Sequence, residues 1–290
     1  MNNGSNNKKG FTQRELFYPV GDVSYEYLDL NGEQIYFTCH EPYNHKAQAT
    51  IIIAFPFGHE RTNAYLALTR WARYLAMSGL RAITFDYRGC GESSGPFEAF
   101  TFEDWEEDLG SIVRTCRERY PRNVIILSGL RLGAILSSRV FSYPLGDGLL
   151  LWEGLDSGHT MFMEILRLKM SVEVLIGIRS KKIARQKNIS ELASEHKIYV
   201  LGQFWTPKLW KSGFKCKLIR PDEHEVRPWT EMRLNSKSIT LNENGLPIRH
   251  IRIPGPSFWN SSPILNPKVD ELFVQSRDWI LSAIATMGIK

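Results

Sequence analysis

The sequence predicts an α/β protein, with a mostly parallel central sheet flanked by helices and a helical insertion late in the sheet. Three observations carry that expectation. Short apolar strand patterns alternate with amphipathic helix patterns through the first half of the chain. Short strand–helix–strand connections of this kind require a parallel sheet with helices on both faces. The alternation then breaks once, from Met161 to about Trp210, and resumes.

The opening "MNNGSNNKKG" is polar and lacks the apolar core of a signal peptide, so residues 1–20 read as a disordered tail and the protein as cytoplasmic. "EQIYFTCH" (Glu33–His40) alternates as a half-buried strand, whereas "TIIIAF" (Thr50–Phe55) is continuously apolar, the pattern of a strand buried on both faces. A helix pattern over Ala64–Ser78 stops at Gly79, and "RAITFD" (Arg81–Asp86) is the next strand. A glycine-rich loop leads into a helix over Phe102–Arg119, ended by Pro121. "NVIILS" (Asn123–Ser128), a helix over Leu132–Phe141 and "GLLLW" (Gly148–Trp152) complete the regular part. After the break, "KCKLIR" (Lys215–Arg220) and "IRHIRI" (Ile248–Ile253) read as strands and Pro267–Met287 as a closing helix. This divides the chain into a core of residues 21–156 and 213–290, with a helical lid, residues 157–212, inserted after the sixth core strand.

Composition narrows the function classes. The 290 residues are 43% apolar, enough for one large globular domain, and no apolar run approaches the ~18 residues of a membrane span. Cys39, Cys90, Cys116 and Cys216 are scattered without a CxxC pair, which argues against a zinc site or a disulfide framework. No cofactor motif is present. A net charge of +5 is too small to imply nucleic acid, but it is unevenly placed: Ser157–Ser212 holds ten Lys/Arg against four Asp/Glu. That basic segment is either a solvated helical face or a docking surface for an acidic partner.

The most informative stretch is "ILSGLRLGAI" (Ile126–Ile135), a strand running through Gly-x-?-x-Gly into a small-residue helix. Such a turn projects one side chain above the sheet at a helix N-terminus, and in serine hydrolases that residue is the nucleophile. Here it is Arg131. A guanidinium stays protonated near neutral pH and has no lone pair with which to attack a carbonyl. At a helix N-terminus it should attract a carboxylate, phosphate or sulfate. Alternatively, it pairs internally with Glu60, Asp86 or Glu153 and closes the site.

"FGHERTNAYLALTRWARYLAMSGLRAITFDYRGCGESSG" resembles the lipase and serine-aminopeptidase branch of the α/β-hydrolase fold, and the resemblance covers about Asp29 to the C-terminus. It places Asp86, Arg88, Gly89, Gly91 and Ser93 on a D-x-R-G-x-G-x-S motif and implies oxyanion-hole amides at Phe57 and Leu132. A closer similarity runs through "GCGESSGPFEAFTFEDWEEDL", "SGLRLGAI", "LLLWEGLDSGHTMFMEILRLKM" and "PGPSFWNSSPILNPKVDELF". These look like the bacterial proteins called exosortase A system-associated hydrolase type 2, whose members carry G-L-R-L-G at the elbow. The resemblance implies that Arg131 is a family character.

It also implies where the other two triad members belong. "KLIRPDEHEVRP" puts His224 in the place of the acid, with Asp222, Glu223 or Glu225 within a short slip of register. "RIPGPSFW" puts Ser257 in the place of the histidine, and His250 lies inside the preceding strand. All three positions are therefore changed, and a Ser-His-Asp mechanism is not expected. Arg131, His224 and Ser257 should converge above the sheet, with Ser257 a potential nucleophile, His224 its base and Arg131 an electrostatic stabiliser. Cys90 is a second candidate nucleophile, but a structural or incidental thiol is the stronger reading, and Ser93 and Ser94 share its loop, where turn capping explains them. His59, Glu60, Trp152, Glu153, His159 and Trp259 are candidate pocket residues, Glu60 with a structural hydrogen bond as the bland alternative.

Three functions follow. The leading one is an acyl-handling enzyme, working by acyl transfer or thioester chemistry on a substrate with an anionic group. An acidic carrier protein or a coenzyme A thioester would then dock on the basic lid. The second is a non-catalytic ligand-binding or accessory protein, and the third a hydrolase with a relocated Ser or Cys nucleophile.

Overall fold

The computed structural model describes residues 22–43, 46–177, 189–192, 194–222, 224–234, 250–253, 257–260 and 267–288. Its eight-stranded sheet contains β1 (Val23–Leu30), β2 (Glu33–His40), β3 (Ala49–Ala54), β4 (Arg81–Phe85), β5 (Val124–Leu130), β6 (Gly148–Trp152), β9 (Trp229–Leu234) and β10 (His250–Ile253). The spatial order is β1-β2-β4-β3-β5-β6-β9-β10. β1 and β2 are antiparallel to their neighbours, and every later pairing is parallel. The mostly parallel sheet predicted from the sequence is thus observed.

Side chains that alternate along each strand feed two separate cores. On β3, Ile52 and Ala54 join one cluster while Ile51 and Ile53 join the other. This is why the strand shows no polar alternation. The first core is closed by α2 (Phe102–Arg119) and α3 (Leu132–Ser142), the second by α1 (Gly58–Met77) and α6 (Pro267–Thr286). α2 begins at a capping box in which Thr101 and Asp104 satisfy each other's backbone N–H.

Between β6 and β9 the chain contributes no described strand to the main sheet. It forms α4 (Gly158–Leu175), a small hairpin of β7 (Ile198–Val200) and β8 (Gln203–Trp205), and α5 (Pro207–Lys215). α4 and α5 meet through close small-residue contacts. A Cβ on Gly158 would lie 3.1 Å from the Gly213 Cα, and one on Gly213 would lie 2.4 Å from the Phe162 ring. Among the described residues no helix is long and apolar enough to cross a membrane.

Two departures from the sequence expectation matter for the site. "KCKLIR" is not a core strand: Lys215 ends α5, and Lys217 makes only an isolated bridge to Ser157. The strand that pairs with β6 is β9, "WTEMRL", whose pattern is broken by Glu231 and Arg233. Glu231 is fully buried and bound by Arg220 and Arg233, at 3.0 and 2.7 Å. The expected tail, residues 1–20, lies outside the described residues.

Candidate functional site

The elbow has the geometry that its sequence promised. Gly129 and Gly133 allow β5 to turn directly into α3. A Cβ on Gly129 would sit 2.1 Å from the Gly133 carbonyl oxygen, and one on Gly133 would sit 2.0 Å from that of Ala54. Arg131 sits between them at φ 58°, ψ −111°. A non-glycine residue held there costs on the order of 1–3 kcal/mol. Its N–H donates to the Trp152 carbonyl at 3.0 Å, and its own carbonyl accepts from Ala134 and Ile135, the first hydrogen bonds of α3.

The guanidinium is buried and doubly paired. Nη2 donates to Glu60 at 2.8 Å and to Glu164 at 2.5 Å, while Nε donates to Glu60 at 3.1 Å. The Trp259 ring lies 5.5 Å from the guanidinium carbon. Of the internal partners foreseen, Glu60 is therefore the one found. Asp86 is held instead by Arg61. Glu164, in α4, was not foreseen, although it is the only carboxylate between Ser157 and Ser171 and stands within the apolar "MFMEILRL". Burial pushes the Glu60 carboxyl up and the Arg131 charge pulls it back; the two carboxylates in turn hold the guanidinium firmly protonated.

His59 precedes Glu60 in the first turn of α1. Burial and the Arg131 charge push its pKa below the usual imidazole value, so it is neutral at pH 7. Neither ring nitrogen has a hydrogen-bond partner among the described residues.

Among the described residues, an aromatic cluster packs around Phe57, at the start of α1. Phe57 packs against Phe97, Phe102, Trp105, Phe162 and Trp205 with ring centroids 5.5–6.0 Å apart. Phe162 and Trp205 come from the insertion, and they share one buried cluster with Phe57 and Leu132. Both of those residues are buried. A cavity of about 350 Å³ opens elsewhere, at the C-terminal end of α3, between Glu106, Arg114 and Tyr143.

The remaining candidates separate. His224 does not reach the elbow. It is exposed and precedes β9, on the chain entering the edge where β6 and β9 begin, and Arg131 lies beyond the opposite end of β5. The cause is the misplaced strand: in this sheet order the acid position follows β9, in residues 235–249, outside the described residues. Asp222 and Glu225 serve local contacts, Asp222 accepting from the His224 N–H and Glu225 pairing with Arg227. Glu223 lies outside the described residues. Ser257 opens a turn closed by the Asn260 N–H on its carbonyl, and Trp259 in that turn places its ring 5.5 Å from the Arg131 guanidinium carbon.

Trp152 is not a pocket residue. It faces the second core, between Trp71 and Phe273, and donates its indole N–H to Ser276 at 3.0 Å. Glu153, at φ 49°, donates its N–H to the Met232 carbonyl. His159 stacks on Phe214 at 4.2 Å, pinning the start of α4 to the end of α5. Burial pushes the Cys90 thiol up to about 12, the opposite of an activated nucleophile. Ser93 and Ser94 accept the N–H groups of Tyr36 and Gln34 and so tie their loop to β2. Arg88 is braced by Asp108 at 2.5 Å and Glu107 at 2.8 Å, and the Gly89 and Gly91 turns at φ 75° and 55° complete a structural motif. Among the described residues no group of His, Cys, Asp and Glu could hold a metal ion.

Sheet order, elbow and flanking helices together define a familiar architecture. A soluble variant of monoglyceride lipase from Saccharomyces cerevisiae superposes with a TM-score of 0.59 at 12% identity, over 92% of this chain and 97% of the other. Est1E from Butyrivibrio proteoclasticus gives 0.58 at 15% identity, over 90% and 99%. An esterase from Pyrobaculum calidifontis gives 0.56 at 12%, over 96% and 89%. The chain has the α/β-hydrolase fold. No family model and no curated protein matches it by sequence.

Proposed function

We propose that this is a non-hydrolytic α/β-hydrolase-fold protein, a ligand-binding or accessory protein in which the former nucleophile position joins the core to the lid. The observation that carries this reading is the Arg131 guanidinium, shared between Glu60 of the core and Glu164 of the insertion. An arginine there supplies no nucleophile, and its pairing with Glu60 and Glu164 engages the guanidinium. The similarity of "SGLRLGA" to exosortase A system-associated hydrolase type 2 supports Arg131 as a settled feature. Four free cysteines suit a reducing compartment, the cytoplasm.

A second reading, an acyl-handling enzyme, is favoured by the cations exposed on and after α5: Lys208, Lys211, Lys215 and Lys217. An acidic carrier protein or a coenzyme A thioester bearing the acyl group would dock there.

One experiment separates the two. The protein is exposed to a fluorophosphonate probe and to nitrophenyl esters, then mixed with acyl-coenzyme A and acylated carrier. The first reading expects no covalent label and no acyl loss from any of them. Acyl loss from the thioesters alone supports the second reading. A label on Ser257, Cys90 or any other residue overturns the non-hydrolytic assignment.

A further inference from the structure

The two carboxylates on Arg131 are of unequal standing. Glu60 is fixed in the first turn of α1 with its side chain 2% exposed, so it has no solvent to retreat into. Glu164 has a side chain 40% exposed and can move into water with little desolvation change. One guanidinium against two carboxylates leaves an excess negative charge, and only the buried partner is needed for neutrality. Departure of Glu164 would leave a balanced Arg131–Glu60 pair with one free donor direction at Nη2. Beside it stands His59, with both ring nitrogens shielded from solvent and without a partner among the described residues. Buried polar atoms of this kind call for an explanation, and a ligand is one. The N-termini of α1 and α3 both lie at this point in the chain path, and their dipoles favour negative charge.

We propose that Arg131 is the centre of a carboxylate-binding site in which Glu164 is a resident stand-in, exchangeable for a small carboxylate from solution. This rests on the reading of the elbow as non-hydrolytic. The exchange is non-covalent: one charge-assisted hydrogen bond from Nη2 is given up and an equivalent one is formed. The aromatic cluster sets the size. With Phe57, Phe162 and Trp205 packed together, a long acyl chain has no room inward. A short ligand places its head on Arg131 and its tail along the route now taken by the Glu164 side chain. α4 itself stays in place, held by Phe162.

Butyrate is titrated by calorimetry into the full chain and its variants, with the His59 ring resonances as a reporter at the site. Removing the competitor in Glu164→Gln is expected to tighten butyrate binding about tenfold, the worth of about 1.4 kcal/mol. Butyramide should not bind, and the His59 resonances should move with butyrate alone. The Glu60→Gln/Arg131→Gln double variant removes the cation with its buried partner, so it should fold and lose the binding. Equal affinity in wild type, Glu164→Gln and the double variant would place butyrate elsewhere and overturn the site. So would a folded Glu164→Gln protein that binds nothing. Either failure leaves the non-hydrolytic reading standing, because that reading falls to covalent labelling or to acyl loss from the esters or thioesters, not to the absence of butyrate binding.

Discussion

At Arg131 a strained backbone carries a side chain that cannot act as a nucleophile. The left-handed φ is kept, and the residue that occupies it now anchors two carboxylates. Restoring serine should therefore damage the protein without restoring hydrolysis. Arg131→Ser leaves Glu60 buried without its cation, a change that costs about 3–5 kcal/mol in comparable buried pairs. Glu164→Gln should cost at most about 1 kcal/mol, because its side chain is partly solvated. Urea unfolding of the two variants checks the ordering, and an equal loss would contradict the unequal burial. Adding Glu60→Gln to Arg131→Ser should recover part of the loss, since no charge is then stranded. The arginine was legible in the sequence because the elbow motif fixes its place, whereas Glu60 was only one of three internal partners that the sequence offered. Glu164 was not legible, because contact across the insertion depends on how α4 crosses the core.

Elements differ in how openly they announce themselves. β3, β5 and β6 are continuous apolar runs, and α2 carries its own capping box, so all were readable locally. β9 hides its strand because buried Glu231 is neutralised by Arg220 and Arg233, a pairing invisible to a periodicity argument. That single miss moved the acid position to His224, on the wrong edge of the sheet. The glycines of the elbow are the opposite case, since their spacing is both legible and mechanically required. Gly133→Ala would drive a methyl group to 2.0 Å from the Ala54 carbonyl oxygen, between α3 and β3, neither of which is free to move. A loss of about 3 kcal/mol or more is expected. Gly110→Ala, inside α2, meets only the flexible end of Arg114 at 3.3 Å and should be neutral or stabilising by up to about 1 kcal/mol. Thermal melts of both variants test whether elbow packing, rather than glycine content as such, is the constraint.

Across the whole molecule, the insertion is continuous with the first core. Phe162 and Trp205 belong to the same buried cluster as Phe57, Phe102 and Trp105, and Phe162 also stacks on Trp210. A lid that covered an open pocket would present apolar side chains to a cavity, and shortening one would change little. Here Phe162 packs among Phe57, Phe102, Trp205 and Trp210. Phe162→Ala should therefore cost about 3–5 kcal/mol, as for a phenylalanine removed from a closed core. It should also leave a dry apolar void able to take up a small aromatic such as benzene. Unfolding followed separately by tryptophan fluorescence and by circular dichroism should remain a single coincident transition, because insertion and core share one cluster. A Phe162→Ala protein that loses less than about 1 kcal/mol, or whose insertion melts ahead of the sheet, would mean that the aromatic plug is a movable cover. The space above Arg131 would then be open to acyl groups, and the acyl-handling reading would take precedence.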